Sequence, residues 1–337
     1  MNDAPLKAAV VGVGWWGRTH VEAYWRSPET ELVAVCGRTN RERTEAVARQ
    51  YGARAYLDIG EMLEHERPDL VSVIAPDGGH YLPYKQVLQS GVNCLVEKPL
   101  ALDLAEGKEL AELARSSGAQ CGINFNHRYT TPFQCLAKDI AEGRIGRQYH
   151  LLWRFTGGHY PEGLAQPLAH LLYMQCHGFN LLETYGGPIA SLGGHASDPR
   201  GTGQLTSAVL SLRFASGAVG SFVASVDGDY NNPDIYRLEV MGEGGRGVVG
   251  DALGRYEFCA RGASRAEVYT PTFFDDEGRQ FTRTTDRHIA EFVRALRQDE
   301  PVPIPLQEGL RALELGLAAA KAIIESRVVE VGPASGQ

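Results

Sequence analysis

"KAAVVGVGWWGRTH", residues 7–20, decides the fold. An apolar run leads directly into Gly12-x-Gly14-x-x-Gly17, and a helix is expected from Trp15. In a strand–turn–helix unit each glycine has its own task. Gly12 permits the tight turn, Gly14 lets a pyrophosphate approach the backbone, and Gly17 lets helix and strand pack closely. The helix start offers unpaired N–H groups and a partial positive charge to phosphates. The stretch therefore predicts a dinucleotide cradle, with a ligand-free βα turn as the alternative. Trp15 and Trp16 either flank the cofactor or serve packing alone.

Outward from this turn, the first 125 residues alternate strand and helix. Apolar runs end near Val13, Cys36, Ala75, Val96 and Phe125. Thr39-x-x-Glu42, Asp58-x-x-Glu61 and Asp103-x-x-Glu106 read as capping boxes, and Gly91 and Gly118 as helix ends. Continuous rather than alternating apolar strands predict a parallel sheet covered on both faces. Residues 1–125 are thus expected to form an α/β, doubly wound Rossmann domain.

After "FNHRYT" (125–130) the pattern changes. A helix is expected from Thr131-Pro132 to Gly143, then a strand over 149–155 and a long helix from about Leu168 to Tyr185. Period-two strands follow at 205–214 and 217–226, joined by a tight Ser216-Gly217 turn, and another at 235–242. Helices at about 285–298 and 306–327 close the chain. Residues 126–330 are expected to form an α+β domain with a large, mostly antiparallel open sheet, the closing helices being free to pack back on the first domain. Residues 331–337 read as a tail. The outer face of strands 205–226 reads as Ser, Ala and Gly, which suits a partner copy.

Cofactor preference is written after the second strand. An NAD-preferring site places an acid about 20 residues past the glycines to bind the ribose hydroxyls. Here "VAVCGRTN" (33–40) has Gly37, followed by Arg38 and Thr39, with Arg41 and Arg43 nearby. A guanidinium would bind a 2′-phosphate bidentately. NADP is therefore favoured over NAD, with adenine stacking or simple solvation as the alternatives for Arg38.

Composition excludes several classes. With 33 basic and 41 acidic side chains the formal charge is −8, which argues against nucleic acid and anionic membrane surfaces as partners. The longest apolar runs are strand-sized, against the roughly 20 residues needed to span a bilayer. The N-terminal stretch lacks the basic region and apolar core of a signal peptide. Cysteines 36, 94, 121, 135, 176 and 259 form no C-x-x-C pair and no metal spacing, which predicts reduced thiols and a cytoplasmic protein.

Three further stretches, with the glycine turn, resemble the Gfo/Idh/MocA oxidoreductase family. They are "VIAPDGGHYLPYKQVLQSGVNCLVEKPL" (73–100), "GINFNHRYTTPF" (122–133) and "IAEGRIGRQYHLLW" (140–153). Ala75, Pro76, Asp77 and His80 stand where the family has Thr-Pro-Asn and a histidine, and Glu97-Lys98-Pro99 matches fully. The resemblance implies a homo-oligomer, dimer or tetramer, that exchanges hydride between a nicotinamide and a hydroxyl or keto carbon of a sugar, cyclitol or polyol. It implies cofactor contacts from Ala75, Pro76, His80, Glu97 and Lys98, with Lys98 also touching substrate and moving its proton.

The family's helix signature, Asp-x-Gly-x-His-x-x-Asp, aligns as Tyr173-x-Gln175-x-His177-x-x-Asn180. Only the histidine is kept, which implies His177 as the second proton-transfer residue, with Tyr173 and Asn180 in place of two acids. On a 3.6-residue period His170, Tyr173, His177 and Asn180 form one stripe, suited to a polyhydroxylated ligand or else facing solvent. His159 and Tyr160 in "GGHYPEG" (157–163), and His127 and Arg128, are further candidate substrate contacts. His170 and His177 are about two turns, roughly 10 Å, apart, so no metal is expected. Two alternatives remain from other classes: a non-catalytic dinucleotide-binding regulator, and glycoside cleavage by transient oxidation and elimination.

Overall fold

The computed structural model describes residues 4–76, 79–158, 168–201, 203–231, 234–275 and 278–333. The chain forms two compact units, one of Met1–Asn126 with Thr282–Leu310 and one of His127–Phe281 with Arg311–Gln337. The first opens with β1 (Leu6–Val11), α1 (Trp15–Arg26), β2 (Thr30–Cys36), α2 (Arg41–Tyr51), β3 (Arg54–Tyr56), α3 (Ile59–Glu66) and β4 (Leu70–Val73). It continues with α4 (Tyr81–Gln89), β5 (Asn93–Val96), α5 (Leu104–Ser116) and β6 (Cys121–Ile123). All six strands pair in parallel, in the order β3-β2-β1-β4-β5-β6. The order reverses between β1 and β4, where open α/β sheets receive ligands beyond the strands' carboxyl ends. Ala8–Val11 and Leu70–Val73 are buried throughout, which is why their apolar runs do not alternate.

The caps follow the sequence at two of three helices. Asp58 Oδ1 accepts from Glu61 N at 2.9 Å, and Asp103 Oδ1 from Ala105 N and Glu106 N at 2.8 and 3.1 Å. The Thr39-x-x-Glu42 box is not used. Asn40 caps α2, accepting from Arg43 N at 2.8 Å, and Thr39 lies exposed before it. The helix starts one residue later than expected because asparagine is the stronger cap.

The second unit follows a 3-10 turn over Asn126–Tyr129. It contains α6 (Thr131–Ala141), β7 (Gln148–Gly157), α7 (His170–Tyr173), α8 (Cys176–Gly186), β8 (Ile189–Ser197), β9 (Ser207–Phe214) and β10 (Val219–Gly228). Then come β11 (Tyr236–Gly242), β12 (Gly245–Asp251), β13 (Arg255–Ala260) and β14 (Glu267–Tyr269). After α9 (Arg283–Gln298), which belongs to the first unit, α10 (Gln307–Ile324) and β15 (Val329–Glu330) close the chain. The nine-stranded sheet has the order β14-β13-β12-β11-β7-β10-β9-β8-β15. It is antiparallel except where β7 and β10 run parallel. Its inner face centres on Trp153 and Phe222, and Phe179 of α8 stacks on Phe222; all three are fully buried.

Two readings are corrected here. The helix expected from about Leu168 to Tyr185 is two helices, broken at Met174–Gln175. The Gln175 amide is the cause: its Oε1 accepts from Trp153 Nε1 at 3.0 Å and its Nε2 donates to Phe155 O at 2.9 Å, anchoring the chain to β7. The stripe of residues 170, 173, 177 and 180 is therefore not one helical row, and all four are buried rather than facing solvent. The outer face of β9 and β10 carries Ser207, Val209, Ser211, Arg213, Val219, Ser221, Val223 and Ser225. Ala208, Gly220 and Ala224 point to the core instead, because the strand phase puts Leu210, Leu212 and Phe222 inward with them.

α9 places Ile289, Phe292 and Val293 on one face, at the spacing of a buried helical stripe. They join Val10, Val21 and Tyr24 in the first unit's core. Among the described residues no helix is long and apolar enough to cross a membrane.

Candidate active site

The glycine turn has the geometry its chemistry requires. Gly12 adopts φ +105, and a Cβ there would stand 1.9 Å from Ile74 O. A Cβ on Gly17 would stand 2.0 Å from Gly12 O, so α1 packs on the turn at glycine distance. Gly14 is different. It is the N-cap of α1, and a Cβ there would meet nothing within 4 Å. Open space in front of a helix start at the sheet's switch point fits a dinucleotide pyrophosphate. Trp15 is exposed and lies 5.2 Å, centroid to centroid, from the half-buried Trp16.

β5 ends in Glu97-Lys98-Pro99, and Glu97 is only 3% exposed. Its Oε1 accepts from Trp16 Nε1 at 2.6 Å, from His20 Nε2 at 3.0 Å and from Asn124 Nδ2. Its Oε2 accepts from the Lys98 backbone N–H at 3.1 Å. Burial alone would raise this carboxyl. The hydrogen bond and charge of His20, the Lys98 charge and the Asn124 amide outweigh it, and hold the group below its ordinary value. Glu97 is thus a fixed carboxylate beside a half-buried lysine.

His80 is buried, with Nδ1 2.5 Å from Pro99 O and Nε2 2.7 Å from Ala75 O. It thereby ties the ends of β4 and β5 together through their backbones. Ala75 is half-buried and Pro76 exposed. Arg38 and Thr39 lie exposed after β2. At Gly37 a Cβ would stand 2.0 Å from Thr44 Oγ1, so a side chain at the position of the usual acid would have to displace that hydroxyl.

In the second unit His127 and His177 stack, with ring centroids 3.7 Å apart and planes 9° from parallel. His127 Nδ1 bonds the Tyr236 hydroxyl, and Phe281 meets the His127 ring edge-on at 5.2 Å. Burial pushes the Tyr236 phenol well above its ordinary value, so it stays protonated. Asn180 lies three residues on from His177 along α8, and Tyr173 ends α7; both are buried. Arg128 is half-buried. Burial lowers His170 to about 4, against the opposing charge of Asp227, so its ring is neutral near pH 7. Its ring nitrogens have no hydrogen-bond partner among the described residues. His159 and Tyr160 lie outside the described residues, as does Asp77.

The sequence reading missed His20, Asn124, Gln175 and Tyr236. Only His20 left a usable signal: it sits four residues after Trp16 on the buried face of α1. The bonds to Asn124, Gln175 and Tyr236 come from elements far apart in the chain.

Comparison with known proteins agrees with this geometry. Residues 6–125 match the model of the oxidoreductase family with an NAD-binding Rossmann fold, GFO_IDH_MocA, and residues 133–248 match the GFO/IDH/MocA C-terminal domain. D-glucoside 3-dehydrogenase of Escherichia coli is 32% identical over 151 residues, 44% of this chain and 43% of that protein. That match spans less than half of the relative's length. Scyllo-inositol 2-dehydrogenase (NAD(+)) of Bacillus subtilis is 29% identical over 255 residues, 73% of this chain and 74% of that protein. The crystal structure of the WlbA dehydrogenase of Bordetella pertussis, in complex with NADH and UDP-GlcNAcA, has a TM-score of 0.81 at 21% identity and covers 99% of each chain. At that identity the likeness is one of fold.

Proposed function

The chain belongs to the Gfo/Idh/MocA oxidoreductase family, and on that premise we propose that it is an NADP-preferring dehydrogenase of a sugar, cyclitol or related polyol. One observation carries the reading: Gly14 opens the start of α1 to a phosphate at the sheet's switch point. The two relatives above are named as dehydrogenases of a glucoside and an inositol, both polyhydroxylated rings.

A bound nicotinamide dinucleotide supplies the hydride acceptor or donor. Residues 1–125 would hold it, its phosphates taking the N–H groups of the glycine turn and of α1. The preference for NADP is supported by Gly37, which brings no carboxylate to the ribose, and by the exposed Arg38 and Thr39 that follow. A guanidinium there would pair with a 2′-phosphate in bidentate fashion. Residues 126–330 would bind the substrate, with Arg128, Tyr160, Tyr173 and Asn180 taking its hydroxyls.

In oxidation the carbinol C–H bond gives up its hydride and the O–H bond its proton, leaving C=O. Lys98 Nζ or the His177 imidazole would accept that proton and return it in the reverse direction. A second copy would pack on the outer face of the nine-stranded sheet, where Val209 and Val219 are more than half exposed.

The test is a titration with NADPH and NADH, then initial rates on aldoses, inositols and glycosides in both directions. Absence of dinucleotide binding removes the reading. Tyr173 and Asn180 standing where the family has acids favours a second reading, a dinucleotide-binding protein without turnover. Tight binding with no hydride exchange across the panel would select it.

A further inference from the structure

Trp16, His20 and Tyr24 are spaced four residues apart and so line up along one face of α1. All three side chains end in one hydrogen-bonded array. Trp16 and His20 both reach Glu97 Oε1. His20 Nδ1 lies 3.1 Å from Ser72 Oγ, and the Tyr24 hydroxyl 2.7 Å from the same oxygen. On the far side Asn124 bonds Glu97 and accepts from His288 Nδ1 of α9 at 2.8 Å. His20, Tyr24, Ser72, Asn124 and His288 are all 0% exposed.

The Glu97 end of this array fixes the direction of its first link. An ionised Glu97 can only accept, so His20 Nε2 carries a hydrogen. His20 Nδ1 and the Tyr24 hydroxyl both meet Ser72 Oγ, a hydroxyl that can donate to one and accept from the other. Burial raises the Tyr24 phenol, which therefore remains a donor. Such an array is a poor way to gain stability, since apolar side chains would join α1 to the sheet without burying a charge. Its product is position: Glu97 is held by one oxygen while the other accepts the Lys98 N–H.

We propose that His20 is a positioning residue for Lys98. Backed by Ser72 and Tyr24, it fixes the Glu97 carboxylate and through it the strand end that bears the amine. The same helix presents its N-terminus to the cofactor phosphates, but there it is seated by the Gly12–Gly17 contact rather than by His20. This inference rests on the dehydrogenase reading above. The titratable groups that face Glu97 are His20 from α1 and Lys98 from its own strand end, with His288 behind Asn124; Trp16 and Asn124 do not titrate.

The test compares wild type, His20→Leu and His20→Gln. Misplacing a reacting group by about 1 Å costs about a hundredfold, so H20L should lose roughly ten- to hundredfold in kcat. Its NADPH Kd and substrate KM should stay near wild type. H20Q keeps an N–H within reach of Glu97 and should recover most of kcat. The acid limb of thermal stability supplies a readout free of turnover. Glu97 titrates below its ordinary 4.5, so the stability its ionisation contributes is present above that value and lost as pH falls through the folded one. H20L removes the strongest lowering influence, so its loss should begin at higher pH.

Wild-type kcat in H20L overturns the proposal, as does H20Q no better than H20L. A melting deficit equal at every pH also overturns it, because packing alone would give that. If wild type turns over nothing, the dehydrogenase reading fails, and the acid limb still decides whether His20 holds the Glu97 charge.

Discussion

Alanine at Gly14 and alanine at Gly17 should have opposite consequences, although the two positions are three residues apart. At Gly17 a Cβ would stand 2.0 Å from Gly12 O and 2.8 Å from Gly12 C, both backbone atoms that cannot rotate away. Relief requires α1 to retreat by about 1 Å, a repacking that costs about 1–3 kcal/mol. At about 2–4 °C per kcal/mol for a unit of this size, G17A should melt roughly 2–12 °C lower. At Gly14 the backbone has φ −71 and ψ −172, an extended conformation that alanine adopts freely, and its Cβ meets nothing within 4 Å. G14A should therefore melt at or slightly above wild type, since alanine also removes unfolded-state freedom worth about 0.4–1 kcal/mol. The methyl group would instead stand where phosphates approach the N–H groups of α1. One charge-assisted hydrogen bond is worth about 1.5–3 kcal/mol, so its loss should raise the NADPH Kd roughly ten- to hundredfold. Scanning calorimetry and fluorescence titration with NADPH read the two effects separately. Wild-type NADPH affinity in G14A refutes the cradle, and a G14A melting point as low as that of G17A refutes the division of labour between the glycines.

Arg38→Ala should weaken NADPH roughly ten- to hundredfold, by the same charge-assisted scale, while leaving NADH nearly unchanged in parallel titrations; equal losses would remove the 2′-phosphate role. Lys98→Met should keep NADPH binding and lower kcat about a hundredfold or more in steady-state assays, the scale of a lost general acid–base. His170→Leu tests burial of a neutral ring. Because its folded value is depressed from 6.5 to about 4, wild type should lose stability as pH falls from 6.5 and reach the full loss near pH 4. That loss is about 3 kcal/mol, measured by urea denaturation across pH, and H170L should not show it. Arg311→Met removes a guanidinium that bonds Glu183 through Nη2 at 2.8 Å and Nε at 3.0 Å. With the Glu183 side chain 18% exposed, the cost should be about 2–3 kcal/mol, below that of a fully buried pair, read from the same denaturation curves.

The parallel sheet was legible because burial on both faces leaves uninterrupted apolar runs, and the glycine turn states where the first of them stops. The second sheet was legible through its period of two. What the sequence hides is any feature whose cause lies elsewhere in the chain. Gln175 is a good helix former in isolation, yet Trp153 and Phe155, 22 and 20 positions earlier, draw its amide out of the helical row and split α7 from α8. Ile289, Phe292 and Val293 announce a buried face, but nothing in α9 itself says that this face joins the core of Val10 and Tyr24 rather than that of the nearer strands.

The candidate site divides along the same line. Gly12, Gly14, Gly17 and the Glu97-Lys98 pair could be read because their chemistry resides in local backbone geometry and in a strand end. The support around them could not, since Asn124 and His288 meet only in the folded chain. Yet one part of that support was written in plain periodicity. The buried face of a helix covering a parallel sheet is expected to be aliphatic, and α1 instead places Trp16, His20 and Tyr24 there at intervals of four. Hydrogen-bonding groups on a buried face need buried partners. In Leu70–Val73 Ser72 is the one polar residue, and at the end of β5 Glu97 is the first charge. Those are the partners found. A polar row on a face that packing would make apolar is therefore a direct sequence mark of the machinery that holds a site in place.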